Sequence, residues 1–250
     1  PDPPPIRQRV LILGWNLCAP GVIEQLDAYL PHGSEVHVVT RHEGAGAGVT
    51  ALTSAVRNLV LSHKEEDGSD RSVLESLGVP DFDHLILLCG DDVDGQVADS
   101  RTLVTLLHLR DMEQRMGRRL SVVSEMADDR NRVLAQVTQA DDFIVSEKLL
   151  SLMTTQISEN PHLSTVFASL FDAAGSEIYL KNADLYLRVG QTINFQTAVE
   201  AARLRGESAI GYRIGASVHE PPTYGIVLNP DKAAPLTLHR GDRLIVLAED

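Results

Sequence analysis

The sequence predicts a doubly wound parallel α/β lobe followed by a smaller, β-rich α+β lobe. Three observations carry that expectation. Up to about residue 146, short apolar runs alternate with amphipathic stretches, as right-handed βαβ crossovers onto a parallel sheet require. Residues 9–27, RVLILGWNLCAPGVIEQLD, read as strand, glycine break and helix, which is how such a sheet opens. From residue 177 the helical period fades and strand-length apolar runs bounded by turn residues take over.

Taken in order, strands are expected at 10–13, 35–40, 57–61, 84–89, 120–124 and 142–145. Helical segments fall between them, around 20–30, 70–78, 96–116 and 129–138. In the first helix the apolar positions Val22, Ile23, Leu26 and Leu30 recur at helical spacing. The run Gly44-Ala-Gly-Ala-Gly48 is expected as a flexible loop. It lies outside the strand–turn–helix setting that a phosphate cradle needs. The N-terminal lobe then spans 6–146.

Residues 147–176 read as a helical linking or dimerising segment. Leu149, Leu150, Met153 and Ile157 share one face, Pro161 interrupts the helix, and Leu163, Val166, Phe167 and Leu170 form a second apolar face. The second lobe, 177–250, is expected to hold strands at 177–181, 185–189, 209–213, 224–228 and 243–248. Its helix at 195–204 has Asn194 as cap and Gly206 just past its end.

The glycine break is also where chemistry would be sought. A dinucleotide site wants glycine for the tight turn, for close approach of a pyrophosphate and for helix–strand packing. Here those positions are Gly14, Asn16 and Ala19. Only the first and third roles are met. The second strand ends at Thr40-Arg41, where a dehydrogenase offers an acid to the ribose. The turn is therefore a degenerate Rossmann turn, and weak or no NAD binding is expected there. Trp15 is expected to pack against the sheet.

Other function classes are narrowed by composition. A formal charge of −13, from 35 acidic and 22 basic residues, disfavours nucleic acid and anionic membrane surfaces. Two cysteines with no CxxC spacing fit neither a disulfide framework nor a zinc ribbon. The nine histidines form no HxxxH or HExxH pair. No GxSxG elbow or Walker sequence is present, so catalysis has no support in the residues. No apolar run reaches the ~18–20 residues of a membrane span, and the PDPPP start reads as linker.

Two acidic groups remain as candidate cation ligands at strand ends, where ligands of open α/β sheets bind. Asp91, Asp92 and Asp94 follow the fourth strand. They can supply part of an oxygen shell for a hard cation, or Asp91 or Asp92 can cap the next helix. Glu125, Asp128 and Asp129 follow the fifth strand at i, i+3, i+4. Their mutual repulsion calls for a cation, or for Arg130 and Arg132.

Residues 70–92, DRSVLESLGVPDFDHLILLCGDD, and 235–250, PLTLHRGDRLIVLAED, carry a family resemblance. They resemble the N-terminal lobe and the terminal strand pair of the TrkA-C-like lobe of regulator-of-potassium-conductance (RCK) domains. LILGWN at 11–16, LPHGSEV at 30–36, SEMADDRNR at 124–132, IGYR at 210–213 and the whole of 225–250 resemble the Castor/Pollux ion-channel family. The resemblance covers all but the first few residues.

That resemblance implies a ligand-sensing module on the cytoplasmic side of a membrane, linked to or associated with a tetrameric cation pore. It further implies homo-oligomers, as a dimer or a gating ring, and a response to calcium. Two other readings stand beside it. One is a nucleotide- or NAD-binding regulatory subunit of a potassium transport system. The other, disfavoured by Asn16 and Thr40, is an NAD-dependent oxidoreductase.

Overall fold

The structure is a computed structural model describing residues 6–131, 142–172, 175–218, 220 and 223–249. The chain divides into two compact units between Glu159 and Asn160. This division lies inside the segment expected to link the lobes.

Strands β1 (Arg9–Leu13), β2 (Ser34–Val39), β3 (Leu59–Lys64), β4 (His84–Leu87), β5 (Val122–Met126) and β6 (Asp142–Val145) build the first unit's sheet. All pairs are parallel, in the order β3-β2-β1-β4-β5-β6. Alternation along β1 sends Leu11 and Leu13 to one core and Val10 and Ile12 to the other. Helices α1 (Ala19–Tyr29) and α2 (Ala45–Thr53) cover the second of these faces. Helices α3 (Arg71–Ser76) and α4 (Gly95–Met116) cover the first. This is the expected doubly wound, Rossmann-like sheet, and its strand order reverses between β1 and β4.

The glycine-rich run is helix rather than loop. Residues 45–53 form α2, with Ala45, Val49 and Leu52 buried. The glycines serve a close approach: a Cβ at Gly48 would lie 2.5 Å from Trp15 Cζ2. Tertiary contact with the indole outweighs the poor helix propensity of glycine. Trp15 is accordingly 6% exposed and joins the α1/α2 core.

Helix α5 (Ser146–Glu159) ends the first unit and starts directly after β6. None of its described side chains is buried, and Leu149, Leu150 and Leu152 are 48%, 67% and 56% exposed. The expected helix over 129–138 lies mostly outside the described residues. Its beginning is a short 3-10 turn, Asp129–Asn131.

In the second unit, helix α6 (Leu163–Leu170) is likewise without a buried residue. Strands β7 (Glu177–Asn182), β9 (Ser208–Arg213), β10 (Ile226–Leu228) and β12 (Arg243–Ala248) form an antiparallel sheet in the order β10-β9-β12-β7. Strands β8 (Thr192–Asn194) and β11 (Pro235–Thr237) pair separately. Helix α7 (Phe195–Arg203) is capped by Asn194, whose Oδ1 accepts from Thr197 N at 3.1 Å. Its buried Phe195, Ala198 and Ala202 pack with Leu244, Val246 and Ala248 of β12.

The strand expected at 185–189 is absent. Residues 183–185 form a 3-10 turn, and Leu187 and Val189 pack partly buried against the lobe's core. Their apolar character serves packing, not pairing. Strand β11 lies in the segment where the resemblance implies a terminal strand pair, but it pairs with β8, a short strand the sequence did not show, and not with β12.

Candidate functional site

The site that the topology defines is the crevice beyond the carboxyl ends of β1, β2 and β4. A cavity of about 230 Å³ lies there, lined by Gly14, Thr40, His42, Asp67, Arg101 and Thr102 among others. Small-molecule pockets usually enclose roughly 300–1,000 Å³, so this one is tight. Burial pushes the Asp67 carboxyl up, but the Ser69 hydroxyl and amide, with Arg41 and Arg101 nearby, hold it below its ordinary value.

Gly14 makes the turn possible. Its φ is +96°, and a Cβ there would lie 2.3 Å from the Leu88 carbonyl oxygen. The same turn shows why the middle glycine is missing. Asn16 is 8% exposed, and its side chain is a brace across three strand ends. Nδ2 donates to the Cys89 carbonyl at 2.9 Å and to Glu125 Oε2 at 2.7 Å, while Oδ1 accepts from Cys18 N at 2.9 Å. Glu125 also accepts from Cys89 N at 3.2 Å and from the Ser146 hydroxyl at the start of α5.

A pyrophosphate would need the free amide donors of this turn. Those of Leu17, Cys18 and Ala19 are already used. Leu17 N donates to Asp91 Oδ2 at 3.0 Å, Cys18 N to Asn16, and Ala19 N to the Asn16 carbonyl at 3.1 Å. Pro20 has no N–H to offer. Asp91 also places a carboxylate where phosphate would approach, and His42 Nε2 holds its other oxygen at 3.1 Å. At the ribose end, Thr40 Oγ1 accepts from His42 N at 3.1 Å.

The acids of the two strand-end groups are spread over protein partners. Asp94, rather than Asp91 or Asp92, caps α4 by accepting from Gln96 N at 3.0 Å. Asp92 lines the crevice. Asp128 is held by Arg130, whose guanidinium and amide keep its carboxyl below the ordinary range, and it also accepts from Gln96 Nε2 at 3.2 Å. Asp129 pairs with Lys148 of α5. Among the described residues, no group of three or more His, Cys, Asp or Glu side chains is placed to hold a metal ion. Arg132 lies outside those residues.

One residue that organises this region escapes the sequence reading. Asp99 of α4 is 1% exposed. It accepts from Ala127 N at 2.7 Å, Asp128 N at 3.1 Å and Asn131 Nδ2 at 2.7 Å. It therefore sets the loop that carries Asp128 and Asp129. An acid next to the inward-facing positions of an amphipathic helix is the signal that could have found it. Nearby Cys89 is buried, and that burial, with Asp99 and Glu125 close, pushes its thiol up to about 12.

Fold and site together define a Rossmann-like α/β protein whose nucleotide turn is braced by its own side chains, joined to an antiparallel lobe. In sequence, the chain is similar to plant ion channels. It is 28% identical to the ion channel DMI1 of Medicago truncatula over 284 residues, covering 99% of this chain and 31% of that one. It is 28% identical to the probable ion channel CASTOR of Oryza sativa subsp. japonica, covering 98% and 31%.

The chain thus spans about a third of the length of these relatives. The human SLO3 gating ring shares the fold, with TM-score 0.64 and 12% identity over 97% of this chain and 44% of that one. No protein-family model matches. No described helix is long and apolar enough to cross a membrane.

Proposed function

We propose that this chain is a ligand-sensing regulatory module of a cation channel of the Castor/Pollux type, acting on the cytoplasmic side of the membrane and without enzymatic activity of its own. The observation that carries the reading is similarity to named ion channels over nearly the entire chain, both lobes included. Its linked partner is a membrane pore. A second copy of the chain is the proposed occupant of the apolar surface of α5, whose Leu149, Leu150 and Leu152 are otherwise left to solvent.

Regulation of this kind requires a ligand that binds one conformation better than another. Calcium is the proposed ligand, at Glu125, Asp128 and Asp129, with Asp91, Asp92 and Asp94 as the alternative group. In the first group, Asp128 and Asp129 would exchange Arg130 and Lys148 for the ion, and Lys148 sits on α5. Calcium entry would therefore release α5 from the β5 loop, a local charge event that biases a larger element. The braced turn supports a reading without NAD as cofactor.

A thermal-shift series with calcium, NADH, ATP and EDTA tests this, because a ligand selective for the folded state raises stability by mass action. A calcium-dependent rise that EDTA reverses is expected, with none for NADH. A rise with micromolar NADH and none with millimolar calcium would instead establish the nucleotide-binding regulatory subunit.

A further inference from the structure

Strand β7 is an edge strand: β12 pairs with one side of it, and no described strand pairs with the other. Such an edge presents unpaired N–H and C=O groups, and natural proteins usually blunt it with charge, proline or a bulge. Here the register with β12 is regular over Glu177–Asn182. The outer face carries Ile178 and Leu180, exposed by 49% and 37%, with Asn182 at its end. The neighbours of Ile178 and Leu180 on β12 are Leu247 and Ile245, so the apolar stripe continues inward from the edge.

The order of residues along this strand is self-complementary. Laid antiparallel against a second β7 about a two-fold axis at Tyr179, Ile178 faces Leu180 of the other copy, and Glu177 faces Lys181. Both apolar contacts fall on the outer face; on the inner one, Lys181, which already pairs with Glu207 at 3.0 Å, would be shared with the Glu177 opposite it. Directly opposed pairs of these kinds each favour the sheet, whereas like charges in the same place oppose it. Shifting the register by one residue either way destroys the match, since it sets Ile178 against Lys181 or against Tyr179.

We infer that β7 is an association edge for a second copy of this chain, joining two four-stranded sheets into one eight-stranded antiparallel sheet. This surface is separate in sequence from α5 and α6, and the inference does not depend on those helices being an interface. A chain with two distinct self-association surfaces can extend beyond a dimer, which one surface with two-fold symmetry cannot do.

Disulfide trapping tests the register, because opposed residues of antiparallel strands have Cα separations within disulfide range. In a Cys18→Ser background, Ile178→Cys/Leu180→Cys should form a covalent dimer under mild oxidation, and Ile178→Cys alone should not. Sedimentation equilibrium supplies the second readout. With Met153→Glu/Ile157→Glu present to disable the helical surface, the chain should remain dimeric, and adding Ile178→Lys/Leu180→Lys should make it monomeric. Both lysine sites are solvent-exposed, so circular dichroism should stay unchanged. Absence of the covalent dimer, equal trapping by the single-cysteine variant, or a mass insensitive to the lysine pair would each overturn the inference.

Discussion

Replacing Asn16 with glycine restores the middle position of the dinucleotide fingerprint, and the structure predicts a loss rather than a gain. The substitution removes two neutral hydrogen bonds, to the Cys89 carbonyl and from Cys18 N, and one to the Glu125 carboxylate. Neutral bonds contribute about 1 kcal/mol each, and one to a charged group about 1.5–3 kcal/mol. Glycine adds roughly 0.5–1 kcal/mol of backbone entropy. Non-additivity within one network brings the total to roughly 4 kcal/mol.

For a unit of this size, each kcal/mol moves the midpoint by about 2–4 °C, giving a fall of roughly 8–16 °C. Calorimetric melting, with and without NADH, measures it. Asn16→Asp is the companion variant, since it keeps the volume but turns the donor toward Glu125 into a second carboxylate. It should melt at least as low. The reasoning is refuted if Asn16→Gly melts with wild type, or if it acquires micromolar NADH binding. Either result would mean that Asn16 only occupies space in an otherwise open phosphate site, and that the Asp91–Leu17 bond does not close the turn.

Three further outcomes follow from the same structure. Gly48→Ala should destabilise by roughly 1–3 kcal/mol through overpacking and shift the emission of Trp15, the only tryptophan, because the new Cβ meets its ring; an unchanged spectrum would show that the indole does not rest on α2. Iodoacetamide at pH 8.5 should label exposed Cys18 and spare buried Cys89 until the chain unfolds. With the Cys89 thiol raised to about 12 from 9.0, the folded state holds this proton more tightly than the unfolded one, so Cys89 makes stability decline as pH rises from about 9 toward 12; native labelling of Cys89 would contradict its burial. Met153→Glu/Ile157→Glu should lower the weight-average mass in ultracentrifugation without loss of helicity, and a wild-type chain already monomeric at high concentration would remove the basis for an α5 interface.

Much of the first lobe was legible because its signals are local. Apolar runs of strand length and the Gly14 break follow from backbone sterics and burial, and they placed β1 and the other parallel strands of the sheet, though not their order. What remained hidden depended on contacts distant in sequence. Helix α2 reads as a loop until Trp15 is seen lying over Gly48. Asn16 reads as an obstruction to phosphate until Cys89 and Glu125, from two other strands, are seen to receive it. The capping role passed from Asp91 and Asp92 to Asp94, because Asp91 is taken by Leu17 and His42. In the second lobe, the apolar run at 185–189 was misleading, since partial burial alone does not distinguish a pairing strand from a segment packed against the core.

The central claim, that this chain regulates a pore, is tested most directly by single-channel recording from a chimera. The segment of the rice CASTOR relative that aligns with this chain would be replaced by residues 6–249. Calcium added on the side bearing the module should change open probability in the chimera, and Asp128→Asn/Asp129→Asn within it should weaken that response while conductance stays the same. Open probability that is identical with the segment present, mutated or deleted, in channels of unchanged assembly size, would contradict the account.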